Sequence, residues 1–393
     1  MGNRQSSQNP PSNSLEMANQ FDYSTASSSN PAREKLLGLQ MGRGAAAWLV
    51  LLFHLATTLD WRESLGEMAP YDLFAFFEAI GIVGVDLFFV ISGVVMTVTC
   101  FERLGDRSAV VPFLKRRIAR VYPLYWACTA AVLALCWFMP ALASRTKTDP
   151  VDILRSLLLL PQRDYPIVGV GWTLTYEMYF YLVFALLMPL PRRFFLAALG
   201  LWAGSALALF FMVDDPANRG IQGNLALPLV ASPLVLEFIA GCFIGWLLKH
   251  GALPHSKLAL GVGIAWLLVI GTHYGANHFD EAAYGVVRIG VFGVPSILII
   301  YGTLGLERCG RLWHSPSMVF WGDASYSLYL THAYVLYAFA VLLSRWPLMQ
   351  QGPAYWTLIG SCLITCGAVG AITYRWVERP LTKSAQLIMA SRT

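Results

Sequence analysis

Arg43 and His54 stand eleven residues apart in GRGAAAWLVLLFHLATT (42–58). On a helix that spacing is close to three turns, so both side chains leave the same face, about 16 Å apart along the axis. The residues between them are apolar enough for a bilayer, where an ionisable group costs about 2.5–3.5 kcal/mol and needs a reason to be there. An arginine at a helix mouth can simply snorkel to water. An imidazole deep in LVLLFHLA is a different matter, because a neutral imidazole near pH 7 is a natural acceptor for a hydroxyl proton. The pair points to proton-transfer chemistry inside a membrane.

Three further segments carry ionisable groups at membrane-like positions. KRRIARVYPLYW (115–126) places Arg117 and Arg120 at i, i+3 on one face. Such a cluster serves as a topology signal, or as a pair of planar forks for a phosphate-bearing ligand. GWTLTYEMYFYLVFALL (171–187) buries Glu177 about a turn and a half into an aromatic-rich stretch. Interfacial aromatic belts account for Trp172, Tyr176 and Tyr179 but not for that carboxylate, which needs a proton, a cation or an imidazole. In GVDLFFVISGVV (84–95), Asp86 pairs with an arginine or braces a close helix crossing permitted by Gly84 and Ser92–Gly93. In GDASYSLYLTHAYVL (322–336), Ser325 and His332 fall seven apart on one face, as interhelical glue or as cavity lining. Glu237 and Arg288 lie near the ends of their apolar blocks and can meet each other or a polar acceptor.

The elements that must position these residues follow from composition. The 393 residues are 56% hydrophobic and only 13% charged, about half the charge of an ordinary soluble chain. Mean hydropathy is +0.54. The net charge of +5 is small and its arginines are scattered among apolar blocks, which excludes a nucleic-acid binder. Apolar stretches of about 20 residues predict ten spans, at 44–60, 78–100, 119–140, 172–190, 194–213, 231–248, 258–274, 284–305, 318–343 and 354–374. A short interfacial helix from Tyr71 is a possible addition to the second. The expected fold is therefore all-α, a polytopic membrane bundle.

With a cytoplasmic N-terminus, 20 of the 28 Lys and Arg residues fall on inner segments and 8 on outer ones. That asymmetry places both termini inside and the 141–171 and 214–230 connections outside. Residues 1–36 read as a disordered cytoplasmic tail, 37–384 as the membrane unit and 385–393 as a short cytoplasmic tail. The opening MGNRQS fits a loose N-myristoylation pattern that only a eukaryotic cytosol would read. The seven cysteines show no CxxC spacing, so neither disulfides nor a metal is expected. No GxSxG elbow, Walker A loop, HExxH or dinucleotide signature occurs. An inverted repeat of the kind common in transporters is also absent.

Taken in order, Arg43 with His54, GVDLFFVISG, RRIARVYPLYW, WTLTYEMYFY, SYSLYLTH and WVERPLTK resemble the acyltransferase 3 family of integral membrane acyltransferases, from about Leu37 to Lys383. The stretch PIVGVGWTLTYEMYFYLVFALL is most like the exopolysaccharide O-acetyltransferases of the ExoZ type. The resemblance implies transfer of an acyl group, usually acetyl, from cytoplasmic acetyl-CoA to a hydroxyl of an extracytoplasmic glycan at the bacterial inner membrane. It makes Arg43 and His54 the essential first-helix pair, Arg117 and Arg120 the motif associated with coenzyme A, and Glu177 the fourth-span carboxylate. Members often carry a hydrolase-like domain after the membrane unit. This chain ends at Thr393, so the chemistry is expected within the membrane unit.

On this reading His54 takes the hydroxyl proton while Glu177 orients the imidazole, and Arg43, Arg117 and Arg120 hold the coenzyme A phosphates. A transient acyl-histidine is a second route. Two other classes fit buried ionisable groups: a glycan or lipid-linked sugar transporter without acyl transfer, and a non-catalytic scaffold for polysaccharide assembly. Neither accounts for the shared face of Arg43 and His54 together with the ordered motifs.

Overall fold

The computed structural model describes residues 36–58, 71–138, 149–162, 164–212, 227–251, 253–277, 285–345 and 352–390. Apart from Leu36, the expected N-terminal tail and its acylation pattern lie outside these residues, as do 141–148 and 163 of the first outer connection and 214–226 of the second. Among the described residues every regular element is helical. The principal helices are α1 (Leu37–Thr58), α2 (Tyr71–Gly81), α3 (Val83–Cys100), α4 (Val110–Phe138), α5 (Pro150–Leu157), α6 (Trp172–Leu187), α7 (Arg192–Met212), α8 (Leu234–His250), α9 (Ser256–Asn277), α10 (Val294–Arg308), α11 (Pro316–Asp323), α12 (Ser325–Arg345), α13 (Gly352–Thr373) and α14 (Arg379–Ala390).

Nine helical segments among the described residues are long and apolar enough to cross a membrane. The difference from ten lies at 231–248, where α8 has 17 residues. At 1.5 Å per residue it is about 25 Å long, short of the ~30 Å hydrocarbon core. It packs along α3, the most enclosed segment of the bundle. The two helices approach at glycines: a Cβ on Gly93 would strike the Phe238 carbonyl, and one on Gly241 the Val90 carbonyl. Small residues let backbones meet where lipid supplies no hydrophobic drive between helices.

α1 sits at the centre, packed against α2, α3, α11 and α12. Its residues Ala46, Ala47, Val50, Leu51 and Leu55 are buried, and Ala47 and Val50 lie between Arg43 and His54 on their shared face. The stretch expected as one span over 318–343 is broken at Ala324 into α11 and α12. The break brings Asp323 and Ser325 together at the head of α12.

Two five-residue π-helical turns interrupt the late helices, Ile289–Gly293 after Arg288 and Tyr374–Glu378 before α14. Such bulges re-aim side chains and concentrate at functional positions. Here each adjoins a buried ionisable residue, Arg288 in one case and Glu378 in the other. Beyond the second turn α14 runs to Ala390 against α4, so helix continues past residue 384, where a tail was expected.

Candidate active site

The shared face of Arg43 and His54 is met at both ends by α12. At the near end Arg43 Nη2 donates to Ser325 Oγ at 3.0 Å. At the far end the His54 ring stacks on His332, with centroids 5.1 Å apart and planes inclined by 20°. The two contacts show α1 and α12 running in the same direction. Seven residues of α12, about 10.5 Å, and eleven of α1 therefore separate an arginine layer from an imidazole layer.

The arginine layer is a network of charges. Around Arg43 lie Arg120 from α4, Glu177 from α6, Asp323 from the end of α11, and Glu378 from the second π turn. Glu378 is buried, and its Oε2 accepts from Ser327 Oγ at 2.6 Å. Glu177 Oε1 accepts from the Tyr181 hydroxyl one turn along α6. Tyr326 donates to the Val121 carbonyl at 2.7 Å, tying α12 to α4. Arg117 lies with its guanidinium 5.5 Å from the Phe113 ring centroid and 5.3 Å from that of Tyr181. Its Nη2 also reaches Thr99 Oγ1 at 3.5 Å.

The imidazole layer is more apolar. His332 has no exposed surface, and its Nδ1 lies 3.1 Å from the Leu328 carbonyl. That oxygen can only accept, so Nδ1 carries the proton. Tyr329, one turn before His332, donates to the Val170 carbonyl at 2.9 Å and lies 2.8 Å from Thr173 Oγ1. These bonds fasten α12 to the start of α6.

The structure thus unites Arg43, Arg120, Glu177 and Ser325 in one layer and His54 with His332 in the other. It departs from the sequence expectation in two ways. Glu177 was expected to orient the His54 imidazole, but it is bonded to Tyr181 within the arginine layer, and the ring against His54 is His332. The cause is direction: α6 enters from the imidazole end, so Glu177 has already reached the depth of Arg43. Arg43 in turn is not loose at a helix mouth: it is bonded to Ser325 and has Glu378, Glu177 and Asp323 around it.

Asp86 and Glu237 do not join either layer. Asp86 Oδ2 binds Arg288 Nη2 at 2.7 Å, and Glu237 lies beside that pair. Asp86 and Glu237 have no exposed surface, and a Cβ on Gly293 would come within 3.0 Å of Glu237 Oε1. Of the two sequence alternatives for each residue, the structure takes the Asp86–Arg288 pair over a pairing of Glu237 with Arg288 alone.

Glu378 is the site residue that sequence reasoning missed. The apolar run ends near 374, which puts WVERPLTK outside the last span. The continuing helix and its π turn return the carboxylate to the bundle. A signal was available in WVERP, an acid within one turn of the end of an apolar run.

Comparison with known proteins agrees with this architecture. The model of the acyltransferase 3 domain family matches residues 36–373. The chain belongs to that family. It is 32% identical over 326 residues to the exopolysaccharide production protein ExoZ of Rhizobium meliloti, covering 77% of this chain and 90% of that protein. It is 25% identical over 311 residues to the acyltransferase MdmB of Streptomyces mycarofaciens, covering 74% of this chain and 77% of the relative. With the O-acetyltransferase OatA of Staphylococcus aureus it shares 25% identity over 337 residues, 77% of this chain and 53% of that protein. No solved structure matches. The chain is an integral membrane acyltransferase.

Proposed function

We propose that this acyltransferase moves an acyl group, acetyl in the first instance, from cytoplasmic acyl-CoA to a hydroxyl of an extracytoplasmic glycan such as an exopolysaccharide. The membrane would be the bacterial cytoplasmic membrane, with both chain termini inside. The observation that carries the reading is the two-layer site: charged forks at one end of α1 and paired imidazoles at the other, joined by one face of α1 and one of α12.

The donor's anionic end belongs with the arginines. Arg117 rests on neutral rings, which leaves its charge for a phosphate, while Arg120 and Arg43 stand deeper among carboxylates. The thioester then extends toward His54. As the hydroxyl oxygen attacks the thioester carbonyl, its proton passes to the His54 ring. The C–O bond forms, the C–S bond breaks, and the imidazolium returns the proton to the departing thiolate. A thiolate is a good leaving group, so much of the acceleration comes from holding two substrates from opposite sides in register. Capture of the acyl group on His54 itself follows the same geometry in two steps.

Membranes containing the protein should transfer label from acetyl-CoA to glycan. His54→Ala should insert normally, keep its thermal midpoint and lose transfer by about 100- to 10,000-fold, the span of general-base catalysis. Parental activity in that variant would remove His54 from the mechanism. A transporter without chemistry would leave the label on coenzyme A.

A further inference from the structure

His332 carries a nitrogen for which the fold gives no use. Its Nδ1 is held by the Leu328 carbonyl, which leaves Nε2 as a bare acceptor. Among the described residues no protein group donates to Nε2, although the atom is buried. An unmet buried acceptor costs about 1–3 kcal/mol, and a chain that keeps one beside a second imidazole has a use for it. His54 cannot fill it. A hydrogen bond to Nε2 must arrive in the plane of the ring, whereas His54 lies stacked against the ring face. Tyr329 cannot fill it either, because its hydroxyl is engaged with Val170 and Thr173.

We propose that His332 contacts substrate: its Nε2 accepts a hydrogen bond from a hydroxyl of the glycan acceptor, a neighbour of the hydroxyl that loses its proton to His54. The inference rests on the acyl-transfer reading for which substrate arrives at this end. Coenzyme A phosphates belong to the arginine layer, two turns of α12 away from His332, so the hydrogen-bond donor at the imidazole layer comes from the acceptor. The acceptor is therefore a polyol with adjacent hydroxyls, and His332 helps select which one reacts. A fixed acceptor atom is well suited to this, because a site built to bond a hydroxyl discriminates strongly against a ligand lacking it.

The test uses full-length protein in nanodiscs and, as acceptor, oligosaccharide released from the source organism's surface glycan and stripped of acyl groups with alkali. His332→Asn keeps an amide that can donate to Leu328 and removes the Nε2 position. It should raise the acceptor KM by about tenfold, the loss of one hydrogen bond, and leave the KM for acetyl-CoA within about twofold. In protein carrying ¹⁵N-histidine, the Nε2 resonance that disappears in His332→Asn should move on adding oligosaccharide and stay fixed on adding adenosine 3′,5′-bisphosphate, which matches the donor's phosphate end without its thioester arm. A KM shift that falls on acetyl-CoA, or an unmoved resonance with unchanged acceptor KM, overturns the inference. Should the parental protein transfer no label, the acyl-transfer reading falls, and the resonance titration still decides whether His332 binds a hydroxylated ligand.

Discussion

Two groups of charged side chains lie inside this bundle, one compact and fully buried, the other spread out and mostly half-buried. Asp86, Glu237 and Arg288 are one another's charged neighbours, closed off from solvent where α3, α8 and the first π turn meet. Arg43, Arg120, Glu177, Asp323 and Glu378 are spread over five elements, tied by neutral hydroxyls of Ser325, Ser327 and Tyr181, and lead to an imidazole with an open nitrogen. A cluster that braces helices gains from short bonds and exclusion of everything else. A cluster that handles a substrate must keep part of its surface within reach, as the half-buried Arg43, Arg120, Glu177 and Asp323 do. The position of a charged residue in an apolar run cannot distinguish these cases, because both cost the same to insert; the partners distinguish them.

The largest expected effect that separates the two is on stability. Arg288→Leu leaves two carboxyl groups buried with no cation between them, and breaking a buried pair from one side costs about 3–5 kcal/mol. The thermal midpoint in detergent should fall sharply and the yield of folded protein with it. Adding Asp86→Leu and Glu237→Leu should recover most of the loss, since replacing a whole buried ionic group by apolar residues is often neutral or better. Glycan acylation by the triple variant should stay within about threefold of the parent per folded molecule, as a change outside the site warrants. A well-folded triple variant without activity would show that the triad takes part in transfer.

Much of this contrast was legible in the sequence, and its limits are physical. The spacing of eleven from Arg43 to His54 put both on a common face, and α12 meets that face at both ends. Asp86 beside Gly84 and Gly93 marked a tight crossing, which is where it lies. The depth of Glu177 was misjudged relative to His54 because periodicity reports a face and not the partner across it. Glu378 escaped because hydropathy ends where apolar residues end, whereas the helix goes on for another full turn and more. The break at Ala324 went unseen because α11 and α12 are both apolar, and only the polar pair Asp323 and Ser325 marks the join.

A smaller effect sharpens the arginine layer. Glu378 bonds Ser327 and faces Arg120 and Arg43 with its charge. Glu378→Gln keeps the shape and a bond to Ser327 while removing the charge that draws both guanidinium groups inward. Freed of it, the forks lose their fixed aim, and the KM for acetyl-CoA should rise by about tenfold, the equivalent of one charge-assisted bond. The acceptor KM should not move. An equal rise in both constants would mean that Glu378 holds the bundle rather than the donor site.

The mildest test concerns Tyr181, whose hydroxyl bonds Glu177 and whose ring carries Arg117. Tyr181→Phe removes the first contact and keeps the second. If the ring seats Arg117 by its π face, donor affinity should change by less than about threefold, while Glu177, now without its hydroxyl donor, turns toward the arginines. Tyr181→Leu removes the ring as well and should weaken acetyl-CoA binding by a further few-fold, about the 0.5–1 kcal/mol of a cation–π contact. Titration of both variants with acetyl-CoA separates these contributions. If Phe is as damaging as Leu, the bond to Glu177 and not the aromatic seat sets the arginine layer, and the contrast with the self-contained triad narrows to the imidazole pair alone.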